Sequence, residues 1–208
     1  MTDKQYITGS CSILGNEVIK NGSTVFRQQE ASVQTFLASV YGYTGANYPR
    51  FYKMDNLCKL GWLATEILLA QTFDAKAYAP EEIGLVFSNR SSSLDTDIKY
   101  YDTVKTMASP ALFVYTLPNI VMGEICIRHQ FKGENDFFIF DDFNAVFIHD
   151  YVTHLFNSGA LKACICGWVE LLDDAYRACL YLVEARQNNS ALPFTIENIN
   201  QIYQKTHG

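Results

Sequence analysis

The feature that most constrains the fold is an alternation of helical and extended patterns along the chain. Apolar residues recur at three- and four-residue intervals over residues 54–73, which predicts an amphipathic helix with Asp55, Lys59 and Glu66 on its solvent side. Residues 83–87 follow after a short loop and predict a buried strand. Strands that alternate with helices are typical of α/β proteins.

The remaining predicted elements continue this alternation. The pattern predicts strands over residues 5–13, 136–141, 161–171 and 175–184, and helices over 92–105, 117–131, 145–156 and 194–206. Residues 15–50 show only a weak strand or helix near 30–40. The last two strands are expected to pair across the turn at Asp173 and Asp174. We therefore expect one α/β domain over residues 1–208, with a mixed, mainly parallel sheet and helices on its faces.

Capping residues set the expected ends of two helices. Pro118 falls in the first turn of the helix over 117–131, where proline is tolerated, and Gly133 is placed to close that helix. Thr195 is the expected N-cap of the last helix.

Composition and charge exclude some functions. The net charge of −6 argues against nucleic-acid binding, which needs a basic face. The 14 Phe and 13 Tyr residues favour a core or an interface built on aromatic area. No apolar run is long enough to cross a membrane, and the N-terminal run from Met1 lacks the plan of a secretory signal, so a cytoplasmic location is expected.

The cysteines and histidines do not predict a metal site or a cofactor. The six cysteines have no framework spacing, and we expect them to be reduced and packed. Cys164 and Cys166 share one face of a predicted strand, but core packing is favoured because no partner pair follows. His149 and His154 lie five residues apart on one helix and therefore point in different directions.

Several runs resemble a known family. Residues 54–60 (MDNLCKL), 83–97 (IGLVFSNRSSSLDTD) and 109–133 (SPALFVYTLPNIVMGEICIRHQFKG) are similar to segments of the β-ketoacyl synthases, including an Asn-x-x-x-Gly pattern at Asn119 and Gly123. This resemblance implies the thiolase-like fold. It extends over nearly the whole chain but only over the N-terminal half of the usual enzyme, whose two catalytic histidines lie in the other half.

The family's spacing, counted from Gly133, places Asp142 where the synthases have their nucleophilic cysteine. The small residues that usually flank this cysteine are replaced by Phe140, Asp141, Phe143 and Asn144. An aspartate is a weak nucleophile unless other residues activate the leaving group. We interpret Asp142 as an N-cap of the following helix, assisted by Asp141. A catalytic role and a regulatory or binding role for Asp142 are the alternatives.

The resemblance leads to three hypotheses of function. The first is a non-catalytic subunit, similar to chain length factors, that pairs with an active ketosynthase in bacterial fatty acid, polyene or polyketide biosynthesis, with an acyl carrier protein as a further partner. The second is a thioester-processing enzyme of altered chemistry centred on Asp142. The third is a stand-alone homodimeric binding domain.

The family's dimer surface maps to residues 112–131 and 136–140. The candidate acyl-binding or interface residues are Asn119, Gly123, Phe138, Phe140 and Phe143.

Two further expectations concern the surface. Without a second half, the helices over 54–73 and 117–131 must be covered either by another chain or by the aromatic segment 15–50, and we expect a dimer. The serines at 91–93 precede a helix and would suit a phosphate, although an N-cap is favoured. Arg90 and Lys99 are the nearby cations that a phosphopantetheine would meet.

Overall fold

The computed structural model describes residues 4–186 and 190–205, which form eight strands and seven α-helices. The strands are β1 (Tyr6–Leu14), β2 (Glu17–Lys20), β3 (Ser23–Arg27), β4 (Ile83–Asn89), β5 (Asn135–Ile139), β6 (Ala163–Leu172), β7 (Ala175–Glu184) and β8 (Leu192–Pro193). The helices are α1 (Val33–Thr44), α2 (Asn56–Leu69), α3 (Leu94–Val104), α4 (Pro110–Phe113), α5 (Ile120–His129), α6 (Ala145–Asn157) and α7 (Ile196–Lys205). Residue 206 of the predicted last helix and residues 1–3 of the N-terminal run lie outside the described residues.

All eight strands belong to one mixed sheet, as predicted. Its order is β3-β2-β1-β7-β6-β4-β5, with β8 also paired to β1. The expected predominance of parallel strands is wrong, because among the described strands only β4 makes parallel pairs, with β5 and with β6. The other five pairings are antiparallel.

Two tight turns in the segment 15–50 account for two of these antiparallel pairings, β1 with β2 and β2 with β3. Gly15 and Asn16, and then Asn21 and Gly22, adopt positive φ between successive strands. Such turns reverse the chain within two residues and therefore give antiparallel neighbours. The sequence pattern does not predict these two short strands, β2 and β3. The predicted pairing of β6 with β7 is confirmed, with Leu172 opposite Ala175.

Helix α2 lies at the centre of one face of the sheet, between α1 and α5, and nearly all its side chains are buried. The expected solvent side is confirmed only in part, because Asp55, Lys59 and Glu66 are half-buried whereas the residues around them are buried. Asp55 caps the helix by accepting a hydrogen bond from the Cys58 N–H (2.8 Å). Glu66 lies 2.7 Å from His129 Nε2 on α5. The pattern was ambiguous because polar residues also serve as caps and ion pairs inside a domain.

The aromatic N-terminal segment covers α2, which was one of the two coverings expected. Phe36, Leu37 and Val40 of α1 are fully buried against it. Tyr41 stacks on Phe51 with ring centroids 4.0 Å apart, and Tyr48 stacks on Trp62 of α2 at 5.4 Å. This side of the sheet is therefore closed by the chain itself.

The ends of α5 differ from the prediction. The helix begins at Ile120, after Pro118, and ends at Gln130, which adopts the left-handed conformation expected of a terminal glycine. Gly133 serves close packing instead, since a Cβ there would lie 2.5 Å from the Ile83 carbonyl oxygen. Thr195 is confirmed as a cap, because its hydroxyl oxygen accepts from the Asn198 N–H at 3.2 Å.

The opposite face of the sheet carries α6 and α7 over a second core. Phe194 and Ile199 are buried there, and the Tyr181 hydroxyl of β7 donates to the Ile199 carbonyl oxygen at 3.0 Å. In the described ranges, none of the helices has the length and apolar character needed to cross a bilayer.

Candidate functional site

The loop that carries Asp142 connects the edge strand β5 to helix α6. The loop begins at Phe140, whose N–H donates to the Asn89 carbonyl oxygen of β4 at 2.9 Å. It ends at Asn144, whose side chain accepts from the Phe147 N–H at 3.0 Å and caps α6. The interpretation of Asp142 as the N-cap is therefore wrong. The helix starts two residues later than that interpretation required, where Asn144 has the geometry to reach the third helical amide.

Asp142 itself is exposed and forms no hydrogen bond or ion pair within the described part of the chain. It lines an open depression of about 510 Å³ with Asp141 and Asn200. The described lining residues include no histidine, cysteine, lysine or arginine. A carboxylate nucleophile or a carboxylate that positions water needs groups that stabilise developing charge. The depression offers a second carboxylate and side-chain amides.

The neighbouring Phe143 turns inward and joins a buried aromatic group. Its ring stacks on Tyr203 of α7 with centroids 4.3 Å apart, and lies 6.2 Å from Trp168 and 6.3 Å from Tyr181. Arg177 lies on β7, beneath α7, and its guanidinium is 3.5 Å from the centroid of the Tyr203 ring. A packed aromatic ring therefore lies directly after Asp142 in this loop.

Phe138 and Phe140 belong to a different aromatic group on the outside of α6. Phe138 lies 4.6 Å from Phe147 and 5.1 Å from Tyr151, and Phe140 lies 4.9 Å from Phe147. The Tyr151 hydroxyl donates to Asp136 at 2.9 Å. These rings stiffen the open edge of the sheet, because they join β5 to the helix that follows it.

Asn119 and Gly123 lie elsewhere, on the exposed side of α5. Asn119 begins that helix without a side-chain cap, and a Cβ added at Gly123 would meet nothing within 4 Å. The structure therefore brings Phe138 and Phe140 together, places Phe143 in a separate group, and leaves Asn119 and Gly123 on the α5 side of the sheet.

The loop with the serines at 91–93, here called the serine loop, precedes α3 and already binds a carboxylate of the protein itself. The Glu170 carboxylate on β6 accepts from the backbone N–H groups of Arg90 (2.6 Å) and Ser91 (3.1 Å). The Asn89 side chain accepts from the Ser92 N–H at 2.9 Å. These amides are the donors that an external phosphate would need. Sequence reasoning missed Glu170, because it lies about 80 residues away from the loop that it closes.

The two cations near this loop, Arg90 and Lys99, do not form a shared anion-binding site. Lys99 pairs with Asp95 one helical turn earlier, at 2.6 Å, whereas Arg90 is exposed.

All six cysteines are free, as predicted. Burial raises the pKa of the Cys58, Cys166 and Cys179 thiols, which keeps them protonated and unreactive. Within residues 4–186 and 190–205, no three potential metal ligands cluster.

No protein-family model matches the chain, and no curated protein matches it in sequence. Solved structures match it in fold. The ishigamide ketosynthase/chain length factor superposes with a TM-score of 0.62 at 18% identity, over 87% of this chain and 62% of that one. A type II PKS acyl-carrier protein complex with its ketosynthase, AntDE:AntF, matches with a TM-score of 0.60 at 15% identity, over 90% and 64%.

In a third match, the matched chain is close to this chain in length. The complex of ketosynthase ApeO with its chain length factor ApeC, from Xenorhabdus doucetiae, matches with a TM-score of 0.58 at 11% identity, over 99% of this chain and 92% of the matched chain. The chain therefore has an α/β fold of the thiolase-like class. Within that class its fold is the one seen in ketosynthase and chain length factor structures, as the sequence predicted. It spans less than two thirds of the first two matched chains.

Proposed function

We propose that the chain is a ketosynthase-like subunit that does not condense acyl groups itself and pairs with an active ketosynthase in a bacterial fatty acid, polyene or polyketide pathway. The observation that carries this proposal is the distribution of exposed apolar side chains. Fourteen large ones are exposed in the described part of the chain, and eleven of them lie between residues 94 and 146. Apolar groups concentrated in this way mark an interaction surface.

This pairing surface consists of the exposed sides of α3, α4, α5 and β5. Its members include Phe113 (59% exposed), Leu117 (58%) and Ile139 (49%). Strand β5 is hydrogen-bonded only to β4 among the described strands, so its outer edge has unpaired backbone groups. An open strand edge flanked by apolar side chains is suited to pairing with another sheet.

The elements of the pairing surface are held to one another. The Ser93 hydroxyl at the start of α3 donates to the Thr116 carbonyl oxygen at 2.8 Å, and Tyr100 of α3 lies 5.5 Å from Phe113. The Cys126 thiol on α5 lies 3.5 Å from the Asn135 side-chain oxygen on β5. A partner would therefore meet one continuous surface that includes the residues 112–131 and 136–140 predicted from the sequence.

The environment of Asp142 supports a subunit without condensing activity. The carboxylate is exposed, the depression around it offers no cationic or imidazole group among its described lining, and Phe143 fills the adjacent space. The matched structures include ketosynthases with a chain length factor and with an acyl carrier protein. A ketosynthase is therefore the first partner to test, and an acyl carrier protein the second.

The test is co-expression with a ketosynthase of the matched type, such as ApeO, followed by affinity purification and light scattering. We expect a stable one-to-one complex that Leu117→Glu and Ile139→Lys each disrupt. Tyr52→Lys is the matched control, because Tyr52 is 72% exposed outside the pairing surface. It should leave the complex intact.

Three results would count against the proposal. A chain that remains alone in the presence of the ketosynthase would reject the partner, and a homodimer disrupted by Ile139→Lys would favour the stand-alone hypothesis. Acyl-carrier or acyl-CoA thioester turnover that disappears in Asp142→Ala would instead favour the thioester-processing hypothesis.

A further inference from the structure

The open edge of the sheet is strongly acidic on the side that faces α6. Residues 133–161 contain no lysine or arginine. They contain five carboxylates, which belong to Glu134, Asp136, Asp141, Asp142 and Asp150. Asp136 is half-buried and the other four are exposed. We call residues 134–142 and the outer side of α6 the acidic edge.

The cations that border this segment along the chain do not neutralise it. Lys132 pairs with Glu81 at 3.7 Å, and Lys162 pairs with Glu82 at 2.5 Å. Arg90 follows the last residue of the neighbouring strand β4 and forms no ion pair within the described part of the chain. The acidic edge therefore keeps an excess of negative charge, and such a surface attracts partners of the opposite sign.

Aromatic rings lie among these carboxylates. Alternate side chains of a strand share a face, so Asp136 lies on the same side of β5 as Phe138 and Phe140. The Tyr151 hydroxyl on α6 donates to Asp136 at 2.9 Å, and the Tyr151 ring lies 5.1 Å from that of Phe138. Burial, together with the charges of Asp136 and Glu134, raises the pKa of Tyr151 to about 12. A cation at this place would meet both a carboxylate and aromatic faces, which attract it.

A shallow depression continues this arrangement along α6. Its volume is about 700 Å³, and Phe147, Asp150 and Tyr151 are among its lining residues. The rings of Phe147 and Tyr151 are nearly parallel, at 8° with centroids 5.6 Å apart. His149 Nδ1 lies 2.8 Å from the Asp150 carboxylate, and His154 also lines the depression. The depression is large enough for a lysine or arginine side chain.

The backbone of β5 can accept another strand on its outer side. Even-numbered residues of β5 bond to β4, since the Glu134 carbonyl oxygen accepts from the Leu85 N–H at 2.9 Å and the Phe140 N–H donates to the Asn89 carbonyl oxygen at 2.9 Å. Peptide groups alternate between the two sides of a strand, so those of residues 135, 137 and 139 point outward. An added strand would present every second side chain to the α6 side.

A second copy of this chain fits the acidic edge poorly. Pairing of β5 with the β5 of another copy would bring two sets of these carboxylates together on strands about 5 Å apart. Like charges on neighbouring strands destabilise the pair. The edge therefore disfavours self-association and selects a partner of opposite charge.

We propose that the acidic edge binds a partner strand that carries arginine or lysine at alternate positions. The backbone of this strand pairs with the outer side of β5. Its cationic side chains contact the carboxylates of Asp136 and Asp150 and the rings of Phe147 and Tyr151. The inference rests on the proposed pairing function and adds the chemistry of the partner, because both use the open edge of β5.

The probe is a fluorescein-labelled peptide of alternating arginine and valine, titrated into the whole chain at low salt and followed by fluorescence anisotropy. We expect saturable binding, about tenfold tighter than that of the same peptide with glutamate in place of arginine. Asp136→Asn combined with Asp150→Asn should weaken binding about tenfold, as loss of two exposed ion pairs predicts.

The matched control is Asp173→Asn combined with Asp174→Asn. It removes two exposed carboxylates at the turn between β6 and β7, outside the acidic edge, and should bind the arginine peptide like the original chain. A peptide with every backbone amide N-methylated keeps its charge but has no N–H donor. It should not bind, because strand pairing needs those donors.

Three results would overturn the proposal. They are equal binding of the arginine and glutamate peptides, equal binding by the Asp136→Asn/Asp150→Asn variant and its control, and tight binding of the N-methylated peptide. The pairing function fails separately. A ketosynthase complex that forms although the arginine peptide does not bind would keep that function and overturn this inference. Binding of the peptide without a ketosynthase complex would support the acidic edge and reject the ketosynthase as the partner.

Discussion

The Tyr203 ring lies against the Phe143 ring with their centroids 4.3 Å apart, and so joins helix α7 to the loop that carries Asp142. The two residues are 60 positions apart in the sequence. The contact fills the space next to Asp142. It also makes the conformation of that loop depend on α7.

Phe143→Ala should therefore destabilise the protein by about 2–3 kcal/mol, below the usual cost of a fully buried phenylalanine because this ring is only partly buried. Urea unfolding measures the loss. Val146→Ala, on the exposed side of the same region, should change stability by less than about 0.5 kcal/mol. Equal effects of the two substitutions would contradict the packing role of Phe143.

A double-mutant cycle isolates the ring contact itself. Phe143→Ala and Tyr203→Ala together should cost less than the sum of the single substitutions, by about 0.5–1.5 kcal/mol for a stacked pair. Additive effects would show that the two rings are independent.

The capping role assigned to Asn144 predicts a clear difference from Asp142. Asn144→Ala should cost about 1 kcal/mol, because the Phe147 N–H loses its acceptor. Asp142→Ala should change stability by less than about 0.5 kcal/mol, since its carboxylate is exposed and unpaired in the described part of the chain. Thermal unfolding of both variants provides the comparison, and a larger loss for Asp142→Ala would restore the interpretation of Asp142 as the cap.

Asp55 predicts a pH-dependent stability. Burial raises the pKa of the Asp55 carboxyl, and the hydrogen bonds from Thr96 and Cys58 offset this only in part. The folded protein then holds this proton more tightly than the unfolded chain, so stability contributed by the protonated form is lost as pH rises from the unfolded pKa through the folded pKa. Asp55→Asn avoids that loss and keeps an acceptor for the Cys58 N–H.

We therefore expect the stability of Asp55→Asn relative to the original chain to increase as the pH is raised above the ordinary aspartate pKa. Asp55→Ala is the control, because it also loses the cap and should cost about 1 kcal/mol. Urea unfolding at several pH values measures both. A constant difference between Asp55→Asn and the original chain would rule out the raised pKa.

Glu170 should hold the serine loop closed. Glu170→Ala leaves the amides of Arg90 and Ser91 without an acceptor and should cost about 1–3 kcal/mol. Hydrogen exchange should become faster at these two amides and remain unchanged at the Phe147 amide, which Asn144 caps. Inorganic phosphate should slow their exchange in the variant but not in the original chain, where the carboxylate already fills the loop.

The sequence by itself determined the α/β class, the helix α2, the strands β4, β6 and β7, and the thiolase-like resemblance. These features depend on local periodicity, on turn residues and on a linear order of motifs, all of which can be read along the chain. It also indicated that α2 had to be covered, either by another chain or by the aromatic segment 15–50, because the apolar area of that helix had to be buried.

Only the tertiary structure decided the environment of Asp142. The Tyr203 ring, the Glu170 carboxylate and the unpaired edge of β5 are consequences of contacts between residues far apart in the sequence. The hairpin of β2 and β3 could not be predicted from the sequence pattern either, since short polar strands are stabilised mainly by their neighbours. The sequence pattern already placed the start of α6 at residue 145, but only the structure showed that Asn144, and not Asp142, caps it.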